Sequence, residues 1–115
     1  MKMNRNMELF RKAEAYMQEN IRNKLYVHEI AEHLRISNSC LEKNFSKVTK
    51  MGVMCYFLDM KLAHSANMLK NGMSVGKIAK ELNFSSTAHF SMAFKKKYRV
   101  SPMRYKYSTI EEAEK

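Results

Sequence analysis

Ile-Ala-Glu-His-Leu-Arg-Ile-Ser at residues 30–37 returns, 48 positions later, as Ile-Ala-Lys-Glu-Leu-Asn-Phe-Ser at residues 78–85. The echo continues at an offset of 49, with Leu41 answered by Phe90, Phe45 by Phe94 and Lys47 by Lys96, so the second copy carries one extra residue at its turn. Such self-similarity marks one supersecondary unit used twice. In each copy an isoleucine and a leucine four apart share a helix face, and the alanine beside the isoleucine lets a second helix cross closely. The apolar residue after the turn, Ile36 or Phe84, plugs the corner. Each copy therefore reads as two short helices joined by a tight turn.

The same periodicity organises the flanking chain. Leu9, Phe10, Ala13, Tyr16, Met17 and Ile21 recur at helical spacing and predict a helix from about Met7 to Ile21. Val27 to Leu34 and about Asn38 to Val48 form the first pair, with Ser37 as N-cap and Leu41, Phe45 and Val48 inward. Val53 to Leu69 lacks a strong breaker and predicts one long helix, closed by Asn71-Gly72. Ser74 caps a helix over Val75 to Leu82, another runs from about Ser86 to Lys97, and a short last helix starts at Pro102 behind Ser101. The acidic end, Glu111 to Lys115, is expected to fray. The fold class is thus all-α, about seven helices: a first helix-turn-helix subdomain over 1–51, a linking helix over 52–71, a second subdomain over 72–108 and a tail over 109–115.

Composition narrows the partner. Lysine and arginine outnumber the acids 21 to 11, for a net charge of +10, which makes a polyanion the default ligand through counterion release. Cys40 and Cys55 are too few for a disulfide framework and fit a reducing cytoplasm. The basic start has no apolar core of a signal peptide and no stretch approaches the length of a membrane helix, so a cytoplasmic, nucleoid-associated protein without membrane contact is expected. His28, His33, His64 and His89 show no metal-ligand spacing with the cysteines, and no phosphate loop, nucleophile elbow or paired carboxylates occur. Neither a metal, a cofactor nor an enzymatic activity is expected.

Three stretches carry a family resemblance: IAEHLRISNSCLEKNFSKVTK, then YFLDMKLAHSANML, then SVGKIAKELNFSSTAHFSMAFKKKYRVSPMRYK. Together they resemble the DNA-binding domain of the AraC/XylS family over roughly Leu25 to Tyr107. The last is the most specific, with its I-A-x-x-L-x-F-x-S start, F-x-x-x-F-K core and V-S-P-x-x-Y-K end. In plan the chain is similar to the short stand-alone members and is expected to lack the effector-binding domain of longer ones. The resemblance implies two reading helices in successive major grooves, one duplex turn (about 34 Å) apart, with activation through RNA polymerase.

On that reading, the outward face of the first reading helix offers Ser39, Glu42, Lys43 and Ser46. Lys43 is the best candidate for a guanine, and Glu42 is either an acceptor for a cytosine amino group or a solvated acid. The second offers Thr87, Ala88, Ser91 and Met92 to bases. Met92 departs from the long polar or basic residue common in the family and points to thymine methyls or shape. Ser37, Asn38, Ser46, Lys47, Lys50, Ser86, Lys95, Lys96, Lys97 and Arg104 are candidates for phosphates; His89 is either a phosphate contact or a packing residue. Lys50 and Arg99 stand where the family commonly has glycine and are expected to be strained, their loops shifted and Gly52 compensating, whereas Asn83 is expected to keep its turn in a left-handed conformation.

Two classes of function remain. The first is sequence-specific binding of double-stranded DNA as a monomeric transcription regulator, most naturally an activator. The second is a protein-interaction module or decoy that binds RNA polymerase or another regulator, with weak nonspecific DNA binding; exposed Met51, Met54 or Met60 would serve such a partner. Charge-driven coating of DNA is a third possibility.

Overall fold

The computed structural model describes residues 4–114, with side chains as far as Ser108. Among these residues there are seven helices and no strand: α1 (Arg5–Glu19), α2 (Val27–Leu34), α3 (Asn38–Thr49), α4 (Val53–Lys70), α5 (Val75–Glu81), α6 (Thr87–Tyr98) and α7 (Pro102–Glu114). The chain divides between Leu58 and Asp59, inside α4, into two compact units.

In the first unit α1 packs on α2 and α3, and α2 packs on α3. Ala13, Met17, Ile30, Ala31, Leu41 and Phe45 are buried at the contacts. Phe10, Phe45 and Tyr56 meet edge to face, their centroids 5.2 to 5.5 Å apart, and the Tyr56 hydroxyl donates to Glu14. Truncating a fully buried phenylalanine in such a cluster costs about 3–5 kcal/mol, so these rings decide whether α3 has a fixed seat.

The second unit repeats the plan with α5 and α6, and α7 packs on α6. Ile78, Leu82, Phe90 and Phe94 are wholly buried. A run of ring contacts continues from Phe84 through Phe90 and Phe94 to Tyr98 and Tyr105.

The sequence repeat is a backbone repeat as well. Arg35 and Asn83 both take left-handed angles, φ 59° and 60°. Ile36 N–H donates to Ala31 O at 3.0 Å, and Phe84 N–H to Ala79 O at 2.9 Å, the six-residue closure of a Schellman turn. The extra residue then appears where the offset changes: the caps are Ser37 in one copy and Ser86 in the other, each hydroxyl accepting from the amide three residues on.

Three expectations are corrected here. Lys50 and Arg99 do not shift their loops; both take the left-handed conformation themselves, at φ 64° and 67°, and close α3 and α6 by donating to Ser46 O and Lys95 O. Gly52 makes no compensation, since Gly72 is the glycine with positive φ. And α7 is thirteen residues long rather than short, its backbone helical through Glu114 where fraying was expected; the side chains of that acidic end lie outside the described residues.

Candidate nucleic-acid interface

Helix α3 buries Leu41, Asn44 and Phe45, with Glu42, Val48 and Thr49 half-buried. Ser39, Lys43, Ser46, Lys47 and Lys50 are exposed, as are Ser37 and Asn38 at its start. Basic side chains, the hydroxyls of the first turn and the open amide end of the helix therefore share one surface, the combination that binds phosphate while side chains read base edges.

Glu42 does not belong to that free surface. It is half-buried, and its Oε2 accepts a long hydrogen bond, 3.4 Å, from the Val53 amide in the first turn of α4. A carboxylate at a helix N-terminus is favoured by the orphan amides there. A Cβ on Gly52 would stand 3.7 Å from the same oxygen, an ordinary contact, so the approach does not depend on glycine there. Glu42 thus has a partner within the protein, which neither of the two roles left open for it, acceptor for cytosine and solvated acid, included.

Helix α6 buries Phe90 and Phe94 and exposes Thr87, Ala88, Met92, Lys95 and Lys96, with Ser86 at its cap; Ser91 is half-buried. Met92 is 74% exposed, an apolar side chain at the centre of an otherwise polar surface. His89 is exposed, shares a hydrogen bond of 3.1 Å with the Ser85 hydroxyl and lies edge-on to Phe84, so it braces the turn locally. Arg104 lies exposed on α7.

Lys97 is the second correction within the expected set. Its Nζ pairs with Asp59 Oδ1 at 2.7 Å and donates to the Asp59 carbonyl at 3.1 Å. It is directed at its own unit, while its neighbours Lys95 and Lys96 remain on the surface.

Sequence reasoning passed over Asn44 and Lys61. Asn44 is 4% exposed; its Nδ2 donates to Asn6 O at 2.8 Å and ties α1 to α3, but its Oδ1 has no partner among the described residues. An unsatisfied buried acceptor costs about 1–3 kcal/mol. Asn44 lies at a cleft of about 520 Å³ between α1 and the start of α3, which Ser39, Cys40, Lys43 and Lys47 also line. The available signal was a polar residue inside the Leu41/Phe45 stripe. Lys61, buried on α4, reaches Leu82 O at 2.7 Å. Among the described residues no cluster of three His, Cys, Asp or Glu can hold a metal ion, and no helix is long and apolar enough to cross a membrane.

Two crossed helices, a left-handed turn and an exposed, hydroxyl-capped second helix define a helix-turn-helix protein, here with the unit present twice. A family model described as a helix-turn-helix domain matches residues 30–108. The Msm operon regulatory protein of Streptococcus mutans is 34% identical over 71% of this chain, and the uncharacterised HTH-type transcriptional regulator YidL of Escherichia coli 33% identical over 76%. The chain spans 30% of the length of each. An AraC-type regulator structure from Chromobacterium violaceum superposes with a TM-score of 0.86 at 23% identity, covering 90% of this chain and 93% of that one. The DNA-binding domain of AdpA, solved with a target DNA, superposes at 0.79 and 17% identity, covering 92% and 93%. The chain belongs to the AraC/XylS family of DNA-binding transcription regulators.

Proposed function

We propose that the chain reads double-stranded DNA with both α3 and α6, inserted as a monomer into successive major grooves. The observation that carries this reading is the repetition of one exposed surface. Leu41 and Phe45 in α3, and Phe90 and Phe94 in α6, are buried to the same degree, so corresponding arcs of the two helices stay open. Ser39 and Lys43 then read bases from α3, and Thr87, Ala88, Ser91 and Met92 from α6. Ser37, Asn38, Ser46, Lys47, Lys50, Ser86, Lys95, Lys96 and Arg104 hold phosphates. The similarity to a domain solved with its target DNA supports this use of the fold. Activation by contact with RNA polymerase, in the cytoplasm, completes the proposal by analogy with the family.

Selection from random DNA followed by footprinting tests it. A protected asymmetric site of about 20 base pairs, two duplex turns, is the expected result. No enriched sequence, with binding that depends on salt alone, overturns it and favours the interaction-module reading, to which the exposed Met54 and Met92 would contribute.

A further inference from the structure

Lys95, Lys96 and Lys97 follow one another at the end of α6. Lys95 and Lys96 are exposed and stand in the proposed phosphate set. Lys97 is held by three contacts: its ammonium pairs with the Asp59 carboxylate at 2.7 Å, donates to the Asp59 carbonyl at 3.1 Å and lies 5.3 Å from the centroid of the Tyr98 ring. Both partners belong to the second unit, and neither side chain is sealed from water, with 26% of the lysine and 45% of the aspartate exposed. At the repeat offset of 49 the first unit has Val48, half-buried and uncharged, where the second has Lys97. Pairing with Asp59 thus gives the second unit, by cancellation, the neutrality that the first has by composition at this register.

We infer that Asp59 is an internal competitor of DNA for Lys97: its carboxylate and carbonyl occupy the ammonium that a phosphate would otherwise take, and so limit the sequence-independent grip of α6. A phosphate that displaced Asp59 would have to replace two oxygen contacts and would then face the carboxylate it had left unpaired. An exposed pair is weak by itself, yet this one sets two obstacles, an occupied cation and a fixed anion. Without the carboxylate, the long stem of Lys97 lets its head snorkel out beside Lys95 and Lys96, and each further phosphate neutralised adds about 0.9 to the salt slope. Phosphates are the same at every sequence, so such a contact strengthens binding to all of them and adds nothing to base choice. Asp59 therefore sets how much of the affinity is indifferent to sequence. The inference rests on the proposed placing of the α6 flank against the DNA backbone.

A double-mutant cycle tests it, read by anisotropy on a random-sequence duplex between roughly 50 and 200 mM salt. Asp59→Asn is expected to steepen the salt slope by about 0.9 and to tighten binding about fivefold at the low-salt end. Asp59→Glu, which restores the carboxylate, should keep the wild-type slope. The double variant Asp59→Asn/Lys97→Ala should return to that slope, because the gain runs through Lys97. Thermal melts accompany each variant: a pair that merely supports the fold would lower stability and affinity together and leave the slope alone, which overturns the inference. The same steepening in the Lys97→Ala background also overturns it, since removal of a negative charge would then suffice. Lys96→Ala reads the placing of the flank separately. If it flattens the slope and Asp59→Asn does not steepen it, the inference alone fails; if it leaves the slope unchanged, the proposed placing of α6 fails and the inference with it.

Discussion

Lys61 places its ammonium nitrogen 2.7 Å from the carbonyl oxygen of Leu82, the residue that caps α5. A buried cation therefore closes the carbonyl end of the helix that leads into the second turn, where the backbone carries partial negative charge. The same nitrogen stands 5.9 Å from the centroid of Phe84, the residue that plugs that turn. Lys61 thus holds both sides of the corner that sets α6 in place.

Its burial makes a signed prediction. Desolvation holds the Lys61 pKa below the ordinary value of 10.5. Between the lowered folded value and 10.5 the unfolded chain binds more protons than the folded one, so stability rises with pH across that window. Below the window both states are protonated and the cost of burying the cation is constant. Lys61→Met removes the hydrogen bond and the titration together. The variant should be less stable by about 1 kcal/mol at neutral pH, and the gap should widen as the pH climbs through the window, because only the wild type gains. Urea melts over a pH series provide the measurement; a narrowing gap would contradict the assignment.

Lys96 and Lys97 are adjacent but should behave differently. Lys96→Ala removes an exposed cation and is expected to weaken binding to all sequences and reduce the salt slope by about 1. Lys97→Ala breaks the pair with Asp59 and should cost up to about 1 kcal/mol of stability while leaving the salt slope unchanged. Binding isotherms at several salt concentrations separate the two; an equal loss of slope from both would return Lys97 to the phosphate set.

Base preference should depend on Lys43 and not on Glu42. Lys43→Ala is expected to relax the preference at one base pair by about 1–3 kcal/mol. Glu42→Gln should leave the preferred sequence intact and instead lower thermal stability slightly, through the weakened cap on α4. Met92→Arg, on the exposed face of α6, should add a guanine preference that the wild type lacks. Repeating the selection with each variant reads all three directly.

Much of this architecture was legible because it is local. The spacing of Ile30, Leu34, Ile78 and Leu82, the serines at 37, 74 and 101 and the offset of 48 becoming 49 placed the helices, their caps and the added residue within a residue or two for most elements. The errors among the candidate site residues came from contacts between residues distant in sequence. Nothing near Glu42 announces the amide of Val53, nothing near Lys97 announces Asp59, and the partner of Lys61 lies 21 residues away. Asn44 drew no expectation from the sequence, although its amide donates to Asn6 and ties α1 to α3. The repeat itself held one unused clue: Arg35 occupies the position of Asn83, and so shares its left-handed turn.

Arg99→Gly tests the cost of that conformation. A left-handed residue with a Cβ is disfavoured by about 1 kcal/mol, only partly offset by glycine's greater freedom in the unfolded chain. The variant should unfold at higher denaturant by the equivalent of about 0.5 kcal/mol. A loss of stability would mean that the charge at the end of α6 outweighs the strain.

Arg35, Lys50 and Arg99 each keep a cation where glycine would sit more comfortably at the end of a helix. A lineage of this chain moving to a hotter habitat would find its easiest gains at these three residues, and each gain would remove a positive charge. Heat tolerance and net positive charge therefore pull in opposite directions at the same sites.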